Sequence, residues 1–385
     1  MAWQLYYRPT VPSSPIIAAP KCRRVPWPRM PQGTAAANAA GYRGRPICLT
    51  RRFNGIESAG TGDITVSGKP RVLVGISMHK AAAARLEEAA IVRFVQPGSG
   101  ELRESLDGWD GLIVYSPAMA VSELAGAKTL KVISCHACPG DLLDACSLNH
   151  IQVTVVPSLW DTVADMTIAL MYAAARCVPQ ADRAMRSGVK GDAAGDPRDL
   201  KVLFSGHDIF GRTQGILGLG RIGKILATRV QSLGMKVIYA DLVRDSALEA
   251  ELDLQYASLA SLLAESDYLA VLVPLNERTR GMLSEAEFRL MKRDAILVNT
   301  ARGAIIDEKA LYSALSEKRI AAAGLDVFSV EPVTPGNPLL SLDNVICTPH
   351  LGGSTKECDM ALVDDAVRVL RREAPLFPIN NVPGR

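Results

Sequence analysis

Short apolar runs alternate with helix-period stretches from Arg71 onward. Arg71-Val-Leu-Val-Gly-Ile76 predicts a buried strand, and the alanine-rich segment 80–90 a helix. Further strands are expected at 111–115 and 130–134, with a helical stretch between them. The apolar-rich segment 161–178 predicts another helix, and the Gly/Asp/Pro-rich segment 188–197 a loop. A second alternating series begins at Gln214. Its strands are expected at 214–217, 235–240, 268–273, 295–299, 320–327 and 344–347, mostly separated by helical patterns. Such alternation builds parallel sheets with helices on their faces. With 385 residues the chain can hold two α/β domains, the second inserted into or following the first. No repeat of solenoid length appears.

Residues 1–69 break this pattern. They show no sustained period and carry eight prolines by position 46. They also hold ten Lys and Arg against two acids, Glu57 and Asp63, so the segment carries +8. An acid-free, arginine-bearing start resembles an organellar transit peptide, although prolines oppose the amphipathic helix such peptides form. The plainer expectation is a disordered extension, or a start codon placed too early. The rest of the chain has 33 basic against 38 acidic residues, a net −5, which argues against nucleic acid as its main partner. No run of 18 apolar residues suggests a membrane span. The eight cysteines lack the spacing of a disulfide framework, so a reducing, cytoplasmic setting is expected, or a mitochondrial one if 1–69 is a transit segment.

The strand ending Gly215-Ile216-Leu217 runs directly into Gly218-x-Gly220-x-x-Gly223, and Lys224–Val230 after it is helical, with Gly234 placed to cap its end. In such a turn the first glycine makes the bend, the second admits the pyrophosphate to the backbone, and the third lets helix and strand pack. The pyrophosphate then meets the helix N-terminus. A GxGxxG motif means little by itself, but here a strand precedes it and a helix follows. The next strand ends at Asp241, 18 residues after Gly223. A carboxylate there accepts bonds from the adenosine ribose hydroxyls and repels a 2′-phosphate, which favours NAD over NADP. Arg244 lies close enough to blur that preference.

Three strand ends follow the cofactor motif, and ligands of open parallel sheets bind at such ends. Ile296–Asn299 opens into Thr300-Ala301-Arg302-Gly303, placing an arginine fork suited to a carboxylate. Ala323–Val327 carries Asp326 and leads to Glu331-Pro332. Val345–Cys347 leads to Thr348-Pro349-His350. A cation for a substrate carboxylate, an acid/base and a group that tunes it are what hydride exchange with a 2-oxo acid requires.

These runs, with Thr348-Pro349-His350-Leu351-Gly352-Gly353 and the closing Pro378-Ile379-Asn380-Asn381-Val382, resemble the D-isomer-specific 2-hydroxyacid dehydrogenases over roughly residues 71–385. The resemblance implies two Rossmann-like, doubly wound parallel-sheet domains. A cofactor domain, 166–349, would be inserted into a substrate domain made of 70–165 and 350–385. It implies that Arg302 holds the substrate carboxylate, that His350 is the acid/base, and that Glu331 hydrogen-bonds His350 and keeps it protonated. Cofactor contacts are implied at Gly218, Gly220, Arg221, Ile222, Gly223, Asp241, Pro274, Thr300, Ala301, Asp326, His350 and Gly352. A homodimer joined through the cofactor domain is implied by the resemblance alone.

The substrate loop departs from the family. Anchored on Asp141 and Asp144, it reads Ser134-Cys135-His136-Ala137-Cys138-Pro139-Gly140. Ala137 and Pro139 stand where glycines are expected, and proline has no N–H to donate. Donor capacity would shift to Cys138 or Gly140, or binding would rely more on Arg302. Cys135-x-x-Cys138 with His136 has no second cysteine pair to complete a zinc site, so no metal is expected. The stretch 352–357 looks most like phosphoglycerate dehydrogenases, yet their phosphate-binding cations map to Tyr115, Met119 and Cys135. A smaller, unphosphorylated 2-oxo acid such as hydroxypyruvate, glyoxylate or a sugar-derived one is therefore expected. The rivals are D-3-phosphoglycerate and a non-enzymatic, NAD-sensing corepressor of the same fold.

Overall fold

The structure is a computed structural model. It describes residues 68–95, 106–115, 124, 127–136, 138, 140–156, 158–188 and 198–380. The expected extension (all but Gly68 and Lys69), Ala137, Pro139, Met119, the loop at 189–197 and the closing Asn381-Val382 lie outside these residues.

The first sheet contains β1 (Arg71–Val74), β2 (Ile91–Phe94), β3 (Gly111–Val114), β4 (Val132–Cys135) and β5 (Gln152–Val155), in the order β2-β1-β3-β4-β5. Every pairing is parallel. Strands β3, β4 and β5 are buried at every position, which is why they read as short unbroken apolar runs instead of alternating ones. One apolar cluster lies on each face: Leu73, Leu112, Ile133 and Val153 on one, Val72, Val74, Ile113 and Val132 on the other. Helix α1 (Lys80–Ala89) covers the second face, and α2 (Gly140–Leu148) joins β4 to β5.

The second sheet contains β6 (Thr213–Leu217), β7 (Lys236–Ala240), β8 (Gln255–Tyr256), β9 (Tyr268–Val271), β10 (Ile296–Asn299), β11 (Ala322–Leu325) and β12 (Val345–Cys347). Its order is β12-β11-β10-β9-β6-β7-β8, again wholly parallel. The order in which strands are added reverses between β6 and β9, the switch point where doubly wound sheets leave a crevice for a ligand. Two clusters cover its faces, one around Leu269, Leu297 and Phe288, the other around Ile216, Tyr268 and Val298. The fold is thus two parallel α/β sheets of Rossmann-like build.

Helix α3 (Ser158–Ala175) packs along β10 and β11 and against α6 (Arg221–Ser232). The expected domain division at 165/166 falls within this one helix. After β12 the chain returns to the first sheet through α11 (Lys356–Leu370), numbered after α4 (Val178–Arg186), α5 (Arg198–Leu203), α7 (Ser246–Leu252), α8 (Leu259–Glu265), α9 (Glu285–Leu290) and α10 (Glu308–Ser316). Leu362, Val363 and Ala366 of α11 join the core with Val72 and Val74. The Ser134 hydroxyl donates to Leu362 O at 3.0 Å, and the His79 N–H to Asp359 Oδ2 at 2.7 Å. Asn380 Oδ1 receives the Val153 N–H at 2.8 Å, tying the chain's last described residue to β5.

Several expected elements change extent. The helix expected at 161–178 is α3, which starts at Ser158 and stops at Ala175; Cys177 then takes a left-handed φ of +51°, and a separate helix, α4, begins at Val178 with Pro179 in its first turn. The helix after the glycine turn starts at Arg221, not Lys224, because Gly220 already caps it. The expected strand 268–273 ends at Val271, and 320–327 is only Ala322–Leu325; in both cases the following residues leave the ladder. Strands β2, β5 and β8 are additions to the expected set.

Candidate active site

At the end of β6, Gly218 takes φ +101°, a region that L side chains avoid. A Cβ there would lie 2.8 Å from Val273 N and 2.9 Å from Leu272 C, so the segment leaving β9 is pressed against a bare backbone. That contact brings Pro274, whose carbonyl accepts the Thr279 hydroxyl at 2.6 Å, beside the turn. A Cβ on Gly223 would strike Gly218 O, which ties the helix close to the strand. Gly220 differs: a Cβ there would meet nothing within 4 Å. Glycine at this position keeps clear a space that the protein does not fill. Gly220 caps α6 with no side chain, and the first-turn N–H groups of Arg221, Ile222 and Gly223 face that space without a side-chain cap. These residues fit a dinucleotide pyrophosphate, which needs open backbone and N–H donors at a helix N-terminus. The Arg221 guanidinium rests over the Trp160 ring, 4.3 Å from its centroid.

Asp241 follows β7. Its Oδ2 accepts the Leu219 N–H at 2.7 Å and its Oδ1 the Leu242 N–H at 2.6 Å, so the carboxylate stands at the mouth of the glycine turn. Arg244 is turned elsewhere. Its guanidinium forks onto Glu249, Nε to Oε1 and Nη2 to Oε2, both at 2.9 Å.

The opposite side of the crevice is built from the ends of β10, β11 and β12. Asn299 shapes the first loop, accepting the Ala301 N–H and donating to Arg302 O, both at 3.0 Å. The Thr300 hydroxyl meets that of Thr167 on α3 at 2.8 Å, in the core. Arg302 is left exposed, one N–H donating to Ala301 O at 2.6 Å. Gly303 permits this loop to press on the Phe328 backbone.

Asp326, 1% exposed, holds the loop that carries the histidine. Its Oδ1 accepts the Thr348 hydroxyl at 2.6 Å and the Leu351 N–H at 2.7 Å, and its Oδ2 the Gly352 N–H at 2.7 Å. The His350 N–H donates to Asp326 O at 2.9 Å, and His350 itself takes φ +56°. Its Nδ1 lies 2.7 Å from Glu331 Oε2, while Glu331 Oε1 accepts the Phe328 N–H at 2.9 Å. Burial alone would raise the Glu331 carboxyl. The bonds from His350 and Phe328, with the charges of His350 and Arg302, hold it below the usual carboxylate value. An ionised carboxylate on Nδ1 fixes the ring so that Nε2 is the atom free for chemistry.

The first sheet supplies the facing wall. His136, passed over in the sequence as part of an incomplete metal motif, sits here with its Nε2 buried and without a partner. Its ring meets Tyr115 edge to face at 5.2 Å, and a Cβ on Gly353 would come within 3.1 Å of its Nδ1. Burial, with the charge of His350, pushes the imidazole down to about 4, so it is neutral at physiological pH. What could have marked it in the sequence is its place one residue before Ala137 of the substrate loop. Cys135 is turned into the core, its thiol 3.8 Å from Thr154 O, and Cys138 packs against the same cluster.

A parallel sheet that opens over a glycine turn at its switch point belongs to a dinucleotide-binding protein, and an imidazole held on a carboxylate at the strand ends of the same sheet has the groups that proton transfer needs. The family description "D-isomer specific 2-hydroxyacid dehydrogenase, NAD binding domain" matches residues 168–352. A glyoxylate reductase of Korarchaeum cryptofilum is 39% identical over 297 residues, 75% of this chain and 88% of the relative. A D-3-phosphoglycerate dehydrogenase of Methanocaldococcus jannaschii is 36% identical over 81% of this chain and 60% of its own length. Among solved structures, the TT0316 protein of Thermus thermophilus superposes with a TM-score of 0.68 at 34% identity, over 80% of this chain and all of its own. The chain belongs to the D-isomer-specific 2-hydroxyacid dehydrogenase family. It is an NAD-dependent oxidoreductase of the CH–OH group, interconverting a 2-oxo acid and its 2-hydroxy acid.

Proposed function

We propose that the chain reduces a small unphosphorylated 2-oxo acid, such as glyoxylate, hydroxypyruvate or a sugar-derived relative, to the D-2-hydroxy acid. The observation that carries this reading is the 2.7 Å pair of His350 Nδ1 and Glu331 Oε2, set beyond the ends of β12 and β11 in the parallel sheet whose β6 ends in the glycine turn. When bound, NADH would supply the hydride that reduces C2 of the substrate and would leave as NAD. Arg302 pairs its exposed fork with the substrate carboxylate. His350 holds the proton at Nε2 for the substrate oxygen and takes it back in the reverse direction, with Glu331 bearing the charge on the other nitrogen. Gly218, Gly220, Arg221, Ile222, Gly223 and Asp241 bind the adenosine and pyrophosphate end of the cofactor. Pro274, Thr300, Ala301, Asp326, His350 and Gly352 line its nicotinamide end. Ala137, Cys138 and Pro139 form the substrate loop.

Support for an unphosphorylated substrate comes from the first sheet. Where the phosphoglycerate pattern has cations, Tyr115 presents a phenol and Cys135 a buried thiol. A dianionic phosphate would find little compensation there. The division into a substrate domain, 70–165 with 350–385, and a cofactor domain, 166–349, is supported by which strands pair in each sheet. A homodimer is supported by exposed apolar side chains on the cofactor half, Val178, Met185, Val202, Leu203 and Phe210. A cytoplasmic enzyme without nucleic-acid or membrane partners is supported by the acidic body, by cysteines outside any disulfide spacing, and by helices that, among the described residues, are not long and apolar enough to cross a membrane.

The test is NADH oxidation against a panel of phosphorylated and unphosphorylated 2-oxo acids. Turnover with glyoxylate or hydroxypyruvate, well above that with 3-phosphohydroxypyruvate, is expected. Preference for the phosphorylated acid would overturn the substrate assignment.

A further inference from the structure

Arg244 stands three residues beyond Asp241 on the loop where the cofactor's adenosine ribose is proposed to sit. A guanidinium there would ordinarily welcome a 2′-phosphate. In this chain it is committed elsewhere. Both of its bonds to Glu249 are 2.9 Å and side by side, the bidentate geometry that fixes a guanidinium plane. Glu249 is itself held. Its side chain is 13% exposed against 62% for Arg244, and Oε1 also accepts the hydroxyl of the buried Tyr239 at 3.0 Å. Tyr239 is fixed in turn by the Asp245 N–H at 3.2 Å and by an edge contact with Tyr256 at 5.4 Å. The Arg244 guanidinium carbon lies 5.5 Å from the Tyr256 ring centroid. The carboxylate is thus the anchored partner and the arginine the tethered one.

We propose that Glu249 is a specificity-determining residue: it ties Arg244 back onto α7 and so withholds the cation that would bind the 2′-phosphate of NADP. Two carboxylates then enforce the choice of NAD by different means. Asp241 repels the phosphate at the ribose, and Glu249 occupies the arginine that would offset that repulsion. The inference rests on the proposed cofactor site at Gly218–Gly223 and Asp241.

The test is titration of NADH and NADPH, followed by nicotinamide fluorescence, into the wild type, Glu249→Gln, Arg244→Ala and the double variant, with melting temperatures measured alongside. Glu249→Gln keeps an acceptor for Tyr239 and removes the charge from the fork. It should bind NADPH roughly 3- to 10-fold more tightly, the scale of one partly exposed charged contact. NADH affinity should stay within about twofold, and added salt should erode the gain. In the double variant the gain should vanish. If Glu249→Gln melts early, Glu249→Asp, one methylene too short for the fork, carries the same expectation. Unchanged NADPH affinity in a folded variant, or a gain that persists without Arg244, would overturn the role of Glu249. Failure of the wild type to bind NADH would instead overturn the cofactor site beneath it.

Discussion

The two walls of the cleft are built on opposite physical principles. The cofactor wall is defined by atoms that are missing: Gly218 and Gly223 admit close backbone contacts, and Gly220 leaves open the space beside a helix N-terminus. The reaction wall is defined by charges that are present. Asp326 gathers three donors from the loop of His350, and Glu331 takes the imidazole itself. One wall should therefore fail when atoms are added, and the other when charge or an acceptor is removed.

Short of removing the imidazole proposed to carry the proton, the largest expected effect is on the cofactor wall. Gly218→Ala puts a Cβ 2.8 Å from Val273 N on a residue at φ +101°. Strain on the order of 1–3 kcal/mol, with displacement of the turn, should weaken NADH binding by at least tenfold. Calorimetric titration would show it. A variant that binds NADH normally would mean that the turn does not depend on its missing side chain.

Glu331→Gln should come next. It keeps an acceptor for Nδ1 but loses the charge, and turnover should fall about tenfold, the difference between a charged and a neutral hydrogen bond. The same residue makes a pH statement. Because the folded protein holds Glu331 below the ordinary carboxylate value, its contribution to stability is full above that value and disappears as pH falls through the depressed one. The gap in melting temperature between wild type and Glu331→Gln should accordingly be widest near neutrality and close below about pH 4. A gap that widens on acidification would reverse the assignment.

The smallest expected effect is structural. Asp326→Asn retains one acceptor oxygen where two served three donors, leaving a buried donor unmatched at roughly 1–3 kcal/mol. A melting temperature lowered by a few degrees, with turnover reduced because the His350 loop loosens, is the expected pattern. Full turnover at a lowered melting temperature would detach Asp326 from the positioning of His350.

The same contrast governs what could be read from the residues. The glycine turn was legible because its demands are local: a strand, three glycines at fixed offsets and a helix. The strands missed were those whose signal is weak or shared. Ile91–Phe94 is an edge strand, partly exposed, that follows a helix with little punctuation; Gln152–Val155 begins with a buried glutamine satisfied by Asn380; Gln255–Tyr256 is two residues long. The ends of 268–273 and 320–327 looked like strand because they stay apolar or buried after leaving the ladder. His350 and Glu331 could be paired only through the family resemblance, since 19 residues separate them. The anchoring of Asp326, the retreat of Arg244 onto Glu249 and the neutral His136 beside Tyr115 depend on neighbours that no spacing announces.

The central claim is that the pair of His350 and Glu331 moves the proton while the glycine turn holds the cofactor. It is tested most directly by measuring turnover and NADH affinity together in His350→Ala. Turnover should fall by roughly two to four orders of magnitude, the usual share of general acid–base catalysis, while NADH affinity falls by no more than about tenfold. Turnover close to that of the wild type, with NADH still bound, would contradict it.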